Sequence, residues 1–396
     1  MENLIDPALF LYLLNNPTKD PENEDIEKEK VEQSTGLMDK PFDPTKINID
    51  TKTPSLDTLI ERITHGEIQL NTESYFQRKD DLWDIEKQSR LIESILIRFP
   101  LPAFYFDGTN KDNWLVVDGL QRLSSIRNFV VKKDYPLKLT NLEFLTQLNG
   151  KTYDELDRDL KRIIKETQIV VYIINPGTPV DVKFNIFKRI NTGGLVLEPQ
   201  EIRHALFQGA PAEFIAELAQ TSEFKSATTG SIKTHRMLDR DFANRFLSFY
   251  LFDYQNYSPD LDTFMSKAMA AINNLTEEDK RKIKKDFEAS MILNKVVFGN
   301  HAFRKILKID QKRKPINKAV FDVFSVLFAK LNQSEREIIK KKKEKIVKGF
   351  IILLSQDEIF FWAVTSSTSD KNRVFYRFSK IEELIQNVIK NYDKVN

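Results

Sequence analysis

Every strand-like segment of this chain lies before Gly209, and this distribution restricts the fold more than any other feature. Short apolar runs predict strands near Lys46 and at residues 67–70, 103–106, 115–117 and 169–174. After Gly209 only amphipathic helical patterns follow, at residues 239–252, 261–274, 276–298, 317–331 and 334–354. Thr276 with Asp279, and Ser334 with Glu337, predict capping boxes at the starts of two of these helices. Strands early and helices late predict an α+β domain followed by a helical one. We expect a flexible arm at residues 1–40, the α+β domain at 41–208 and the helical domain at 209–396.

Composition excludes several classes of protein. The chain has 396 residues with 60 basic and 58 acidic side chains, so its net charge of +2 creates no global attraction to nucleic acid. It has no cysteine, which excludes disulfides and thiolate zinc sites. The longest apolar runs, such as residues 350–354, are far shorter than the roughly 20 residues of a membrane-spanning helix. We therefore expect a cytoplasmic protein with no membrane partner.

The segment 114–130, WLVVDGLQRLSSIRNFV, predicts a strand, a tight turn and a helix. Asp118 is placed to cap the helix, and Gly119 lets a ligand approach the backbone without a Cβ in the way. Gln121 and Arg122 follow in the first helical turn. Free N–H groups, the positive end of the helix dipole and a guanidinium together suit a phosphate. The alternative is an ordinary capped junction in which Arg122 pairs with a surface carboxylate.

Residues 340–343, together with Lys345, form the densest basic run in the sequence. On one long helix it predicts the solvated first half of a docked helix. The alternative is DNA contact through Lys340, Lys341, Lys342 and Lys343.

Other candidate chemistry is sparse. The four histidines are scattered singly without metal-ligand spacing, so the sequence defines no metal site. An HNH-type nuclease would need paired histidines, and none are present. The 29 phenylalanines concentrate on helical faces such as that of Phe242, Phe246 and Phe249, which indicates a core rather than a base-stacking platform.

Several segments resemble one family when they are taken in order. DGLQR at residues 118–122 resembles the DGQQR motif of the GmrSD restriction-endonuclease N-terminal domain family, with Leu120 where the family usually has glutamine. Phe76-Gln77-Arg78 before Trp83, IESILIRFPLPAFYF at residues 92–106 and INTGGLVLEPQEIRHAL at residues 190–206 also match. HAFRK at residues 301–305 and PINKAVFD at residues 315–322 resemble the tail of standalone members. The similarity covers roughly residues 44–378.

The resemblance implies a ParB/sulfiredoxin-like nucleotide-binding core whose motif is associated with nucleotide binding and hydrolysis. The implied catalytic residues are Asp118, Gln121 and Arg122. The implied nucleotide-binding residues are Gln77, Arg78, Gly119, Asn191, Gly193, Gly194 and Arg203. If the glutamine replaced by Leu120 normally orients water, turnover should be slow.

We therefore interpret the chain as a sensor or regulatory component of a bacterial anti-phage or restriction system that acts on foreign or modified DNA. It would bind a nucleoside triphosphate and hydrolyse it with Mg²⁺. Its expected partners are the nucleotide, DNA and a separately encoded nuclease, and it could form oligomers. The alternatives are a non-enzymatic ParB-like DNA-binding adaptor and a cryptic nuclease in the helical domain. In the ligand-site interpretation, Arg122→Ala should weaken nucleotide binding and leave folding almost unchanged.

Overall fold

The computed structural model describes residues 25–27, 43–70, 83–190, 197–308 and 311–393. These residues form two compact units, one within Pro41–Leu206 and one comprising residues 25–27 with the chain from Phe207 onward. The first unit holds a five-stranded sheet and the second is helical. The predicted α+β fold followed by a helical region is therefore confirmed.

The sheet of the first unit is mixed. Its strands are β1 (Ile49–Lys52), β2 (Ile68–Gln69), β3 (Phe104–Asp107), β4 (Trp114–Asp118) and β5 (Val171–Ile174). They lie in the order β1-β5-β3-β4-β2. The β1–β5 and β3–β4 pairs are antiparallel, whereas β3–β5 and β2–β4 are parallel.

Helices cover both faces of this sheet. They are α1 (Leu56–Thr64), α2 (Ile85–Leu96), α3 (Leu120–Ile126), α4 (Arg158–Glu166), α5 (Val180–Ile190) and α6 (Pro199–Leu206). Because strand side chains alternate in direction, Phe104 and Phe106 join one core cluster with α1 to α4. Leu115 and Val117 join a second cluster with α5 and α6. The chain around residues 114–120 therefore lies between two cores.

Residues 141–148 have the apolar spacing of a helix but do not form an α-helix. Only a short 3-10 turn forms there, Thr146–Leu148. The buried carboxylate of Glu93 accepts backbone N–H bonds from Glu143, Phe144 and Leu145 at 2.7–3.0 Å. Burial alone would raise the pKa of Glu93, but these bonds outweigh burial and lower the pKa. The backbone N–H groups that would form hydrogen bonds within a helix are thus bound by the side chain of Glu93.

The second unit is built from helices of varied length. They are α7 (Ala210–Gln220), α8 (Ser222–Ala227), α9 (Leu238–Leu251), α10 (Leu261–Ala271), α11 (Glu277–Phe298), α12 (Lys318–Ala329), α13 (Gln333–Lys341), α14 (Lys343–Gln356), α15 (Glu358–Ala363) and α16 (Lys371–Asp393). Phe242, Phe246 and Phe249 on α9 are fully buried, so the prediction that the aromatic residues form a core is confirmed. The predicted capping box of Thr276 and Asp279 also forms.

The single helix predicted at residues 334–354 is wrong. The chain forms α13 and α14 with a break at Lys342. The capping box is made by Asn332 and Glu335, not by Ser334 and Glu337. Lysines spaced three residues apart repel one another on a continuous helix, which favours a break within the basic run.

A charged cluster is buried in the core of the second unit. Asp322 on α12 is 0% exposed and accepts two bonds from Arg245, at 2.8 Å from Nε and 2.7 Å from Nη2. Arg377 on α16 donates to the same carboxylate at 3.2 Å. Two buried cations thus share one buried anion and join α9, α12 and α16.

A short piece of the predicted N-terminal arm docks onto this unit. Ile26 forms a parallel bridge with Ile316, and Glu27 accepts from Lys305 at 2.6 Å. Glu27 also accepts from Asn317 at 3.1 Å. Residues 25–27 are therefore held by backbone and charged contacts.

Candidate functional site

The DGLQR turn lies where β4 meets α3. Asp118 is the last residue of β4, and Gly119 precedes the helix with a left-handed φ of +98°. The prediction that Asp118 caps the helix is wrong, because Gly119 holds the N-cap position. The Asp118 carboxylate instead accepts from Arg122, with an Nη2–Oδ2 distance of 2.8 Å. A guanidinium one turn along the helix is a stronger donor to a carboxylate than a neutral N–H group.

Arg122 is fixed by three acceptors and one aromatic ring. Its Nη1 donates to the carbonyl of Pro102, and its Nη2 donates to the carbonyl of Ala103 at 3.1 Å as well as to Asp118. Its guanidinium carbon lies 4.5 Å from the centroid of the Phe104 ring. The side chain is mostly buried, so Arg122 ties the turn to the segment that enters β3.

The charge of Arg122 is balanced within the motif. Burial lowers the pKa of Arg122, and the neighbouring Asp118 carboxylate opposes that effect. Arginine remains protonated at neutral pH in such a setting. The alternative in which Arg122 pairs with a carboxylate is therefore seen, although the partner is Asp118 of the same motif. Contact between Arg122 and a phosphate stays a prediction.

Gly119 is required by the packing of this turn. A Cβ at Gly119 would lie 2.5 Å from Cδ1 of Phe104 and 3.3 Å from Nη2 of Arg122. The first distance is a steric overlap with a buried ring, and the left-handed φ disfavours any side chain. The glycine is thus explained by its own protein contacts.

We expect Gly119→Ala to destabilise the first unit by about 2 to 4 kcal/mol, from the strained φ and the overlap with Phe104. Chemical denaturation followed by circular dichroism measures the loss. Gly177→Ala is the matched control, because Gly177 has φ of +87° but a Cβ there would meet nothing within 4 Å. Equal losses in the two variants would contradict the proposed overlap.

Gln121 connects the turn to the chain before α2. Its Oε1 accepts from the backbone N–H of Trp83 at 3.0 Å. The carbonyl of Trp83 in turn accepts from Gln88 on α2 at 2.6 Å. The motif glutamine therefore holds the start of α2 against the start of α3.

A stacked tyrosine pair lies beside Asp118, and sequence reasoning missed it. Tyr105 pairs with Asp118 across β3 and β4 and with Tyr172 across β3 and β5. The two rings stack with centroids 4.8 Å apart and planes 17° apart. Burial, then Tyr172 and Asp118, raise the pKa of Tyr105. The sequence signal for this pair was one tyrosine within each of two largely apolar strands, Tyr105 in β3 and Tyr172 in β5.

The pairing of β3 with β4 shifts its register between Tyr105 and Phe106. Tyr105 lies opposite Asp118, whereas Phe106 lies opposite Val116, so β4 has an additional residue there. Such bulges redirect side chains at the ends of strands. The bulge thus contributes to the placement of Asp118 beside Tyr105.

Arg203 is buried in the α5–α6 layer. It is 1% exposed, its Nε donates to Gln200 at 2.9 Å, and its guanidinium lies 5.6 Å from the Phe184 ring centroid. Gln200 and Glu201 are each 2% exposed, so this helix buries polar side chains. The remaining predicted nucleotide-binding residues lie outside the described residues, namely Gln77, Arg78, Asn191, Gly193 and Gly194.

A family comparison agrees with this geometry. Residues 56–208 match the family model for the GmrSD restriction endonuclease, N-terminal domain. Residues 56–208 form a GmrSD N-terminal domain. The match extends from the start of α1 to just beyond α6 and includes the DGLQR turn and Arg203. No curated protein matches the chain. The GmrSD domain indicates a component of a restriction or phage-defence system.

The acidic groups of the GmrSD domain limit how a metal could bind. Among the residues that the structure describes, no group of three or more His, Asp or Glu side chains could hold a metal ion. Mg²⁺ in nucleotide sites commonly uses one or two carboxylates with phosphate and water oxygens. Asp118 fits that need, because its side chain is 32% exposed and only Oδ2 is bonded to Arg122.

The lysine run lies apart from this domain in sequence and spans a helix junction. Lys340 and Lys341 end α13, Lys342 lies between the helices and Lys343 starts α14. Lys340 pairs with Glu337 at 2.7 Å. DNA contact by this run stays a prediction. Within the described part of the chain, no helix has the length and apolar content needed to cross a membrane.

Proposed function

We propose that the GmrSD domain binds a nucleoside triphosphate at the DGLQR turn and hydrolyses it slowly with Mg²⁺. The protein would act as the sensing or regulatory component of a defence system, with DNA cleavage carried out by a separately encoded nuclease. The observation that carries this proposal is the orientation and exposure of the Asp118 carboxylate. Its carboxylate is oriented by Arg122 through one oxygen and remains partly exposed at the end of β4.

Each residue of the turn has a distinct role in this proposal. Asp118 would hold Mg²⁺ or a water molecule beside the terminal phosphate, because it is the accessible acid of the turn. Arg122 would orient the Asp118 carboxylate through the bond from Nη2 to Oδ2. Gln121 would position the start of α2 through Trp83. Bound Mg²⁺ would supply charge neutralisation for phosphoryl transfer.

Leu120 offers a reason for slow turnover. The residue is half-buried and packs against both core clusters, so it presents no polar group to a water molecule. The family resemblance places a glutamine at this position. A nucleotide that stays bound for a long time would suit a sensor better than a fast hydrolase.

We expect Asp118→Asn to fold normally and to lose phosphate release by roughly ten- to a hundredfold, since the amide still accepts from Arg122 but lacks charge for Mg²⁺. Phosphate release with Mg²⁺ and ATP, GTP or CTP measures activity, and a melting curve checks folding. Asp112→Asn, at an exposed loop position of the same domain, is the matched control. Normal phosphate release by Asp118→Asn would refute the assignment of this site.

The same protein preparations test the other interpretations of the chain. Wild-type protein should bind at least one labelled nucleotide and should not cut plasmid DNA by itself. DNA binding without any nucleotide binding would favour the adaptor. Cleavage that persists in Asp118→Asn would favour a nuclease in the helical unit.

A further inference from the structure

The HAFRK segment places an arginine, Arg304, in the interior of the helical unit. Arg304 is 1% exposed, and the acceptors that its guanidinium reaches among the described residues are carbonyl and hydroxyl oxygens. Its Nη1 donates to the carbonyl of Ala302 at 2.9 Å. Its Nε is buried and has no hydrogen-bond partner among the residues that the structure describes. Buried arginines are usually paired with an anion, because an unpaired buried charge is costly.

The guanidinium of Arg304 points at a hydroxyl-bearing turn, residues 228–231. Its Nη2 donates to Oγ1 of Thr229 and to Oγ of Ser231, each at 3.0 Å. Arg313 donates to the same Thr229 oxygen at 3.1 Å. Thr229 meanwhile donates to the carbonyl of Thr228 at 2.6 Å. One neutral oxygen therefore accepts from two guanidinium groups, an arrangement that favours an anionic oxygen nearby.

Other cations reinforce this positive region. Lys233 donates to the carbonyl of Gly230 at 3.0 Å. Burial, followed by the neighbouring Arg313, lowers the pKa of Arg304 to about 10, and Asp25 opposes this effect. Burial, Arg304 and Arg313 also lower the pKa of His301, whose buried Nδ1 has no hydrogen-bond partner in the described part of the chain. The cluster thus has an excess of positive charge.

The turn is open to solvent on one side. Gly230 and Arg313 are exposed, and Thr229 is half-buried above Arg304. Apart from its chain neighbours, no described residue lies within 4 Å of a Cβ added to Gly230, which leaves space beside the turn. An anion can therefore approach Arg313 and the Thr229 hydroxyl without displacing the core.

We propose that Arg313, Thr229 and Ser231, backed by the buried Arg304, form an oxyanion site for a phosphate group on the helical unit. The phosphate would accept from Arg313 and from a reoriented hydroxyl, and it would neutralise the charge that Arg304 holds below the turn. These residues belong to the helical unit, whereas the DGLQR turn belongs to the GmrSD domain. Its ligand is either a phosphate of a nucleic-acid backbone or a small free phosphate compound.

Titration calorimetry with inorganic pyrophosphate, in EDTA so that Mg²⁺ is absent, tests the site directly. We expect Arg313→Ala and Thr229→Val each to raise the dissociation constant by about tenfold or more, because each removes a donor to the anion. Lys312→Ala is the matched control, since it removes an exposed charge next to Arg313. It should leave the dissociation constant within about twofold, because weakly coupled surface charges contribute little.

Binding of a short DNA duplex at several salt concentrations identifies the source of the phosphate. The measured quantity is the slope of the logarithm of the DNA-binding constant against the logarithm of the salt concentration. If its magnitude falls by about one unit in Arg313→Ala but not in Lys312→Ala, the ligand is a nucleic-acid backbone. Loss of pyrophosphate binding with an unchanged DNA slope would assign it to a free phosphate compound. The proposal is overturned if Arg313→Ala and Lys312→Ala behave alike in both assays. It is also overturned if Arg313→Ala changes neither measurement.

Discussion

Asp322→Ala is expected to destabilise the helical unit by about 3 to 5 kcal/mol, which is the cost of leaving a buried charge without its partner. Asp322 is fully buried and accepts from both Arg245 and Arg377. Without the carboxylate, two cations with side chains 6% and 1% exposed would face each other in the core.

Chemical denaturation of the purified protein, followed by circular dichroism, measures this effect. Asp322→Asn should lose less stability than Asp322→Ala, because it keeps one oxygen as an acceptor. Glu337→Gln is the control, since Glu337 pairs with Lys340 at the surface and its loss should cost less than about 1 kcal/mol. A loss for Asp322→Ala as small as that of the control would contradict the role assigned to the buried cluster.

Arg122→Ala is expected to destabilise the GmrSD domain by about 2 to 4 kcal/mol, in contrast to the small effect that the ligand-site interpretation of the sequence predicts. The substitution removes charge-assisted bonds to Pro102, Ala103 and Asp118, each worth about 1.5 to 3 kcal/mol before solvent replaces part of it. It also removes the contact with the Phe104 ring.

The stability of Arg122→Ala should be compared with that of Arg127→Ala. Arg127 is half-buried and makes one long bond, 3.4 Å, to Asn128, so its loss should cost less than about 1 kcal/mol. Arg122→Lys keeps the charge but cannot reach all three acceptors, and it should give an intermediate stability. If Arg122→Ala melts like wild type, the three contacts do not hold the turn.

These variants also determine how the nucleotide assay is interpreted. Because Arg122 supports the fold, weak nucleotide binding by Arg122→Ala alone would not separate a ligand role from a structural one. Asp118→Asn is the sharper test, since Asp118 is partly exposed and its replacement keeps the bond to Arg122. The role of Arg122 is therefore tested by protein stability, and the role of Asp118 by phosphate release.

Local features of the sequence were sufficient to predict most helices and strands. The strand and helix around the DGLQR turn, the Thr276 capping box and the buried face of Phe242, Phe246 and Phe249 are all present. Each depends on contacts within a few residues along the chain, through periodicity or capping. The GmrSD domain was also predictable, because its motifs occur in the sequence in the order typical of the family.

The partners of buried polar groups were decided only by the tertiary structure. Glu93 captures N–H groups about 50 residues away and prevents a helix there. Arg122 binds carbonyls about 20 residues before it, so a predicted ligand residue became part of the support of the turn. Arg304 meets Thr229 across 75 positions of the chain. Periodicity carries no information about such pairs, because packing of distant segments determines which acceptor a buried cation can reach.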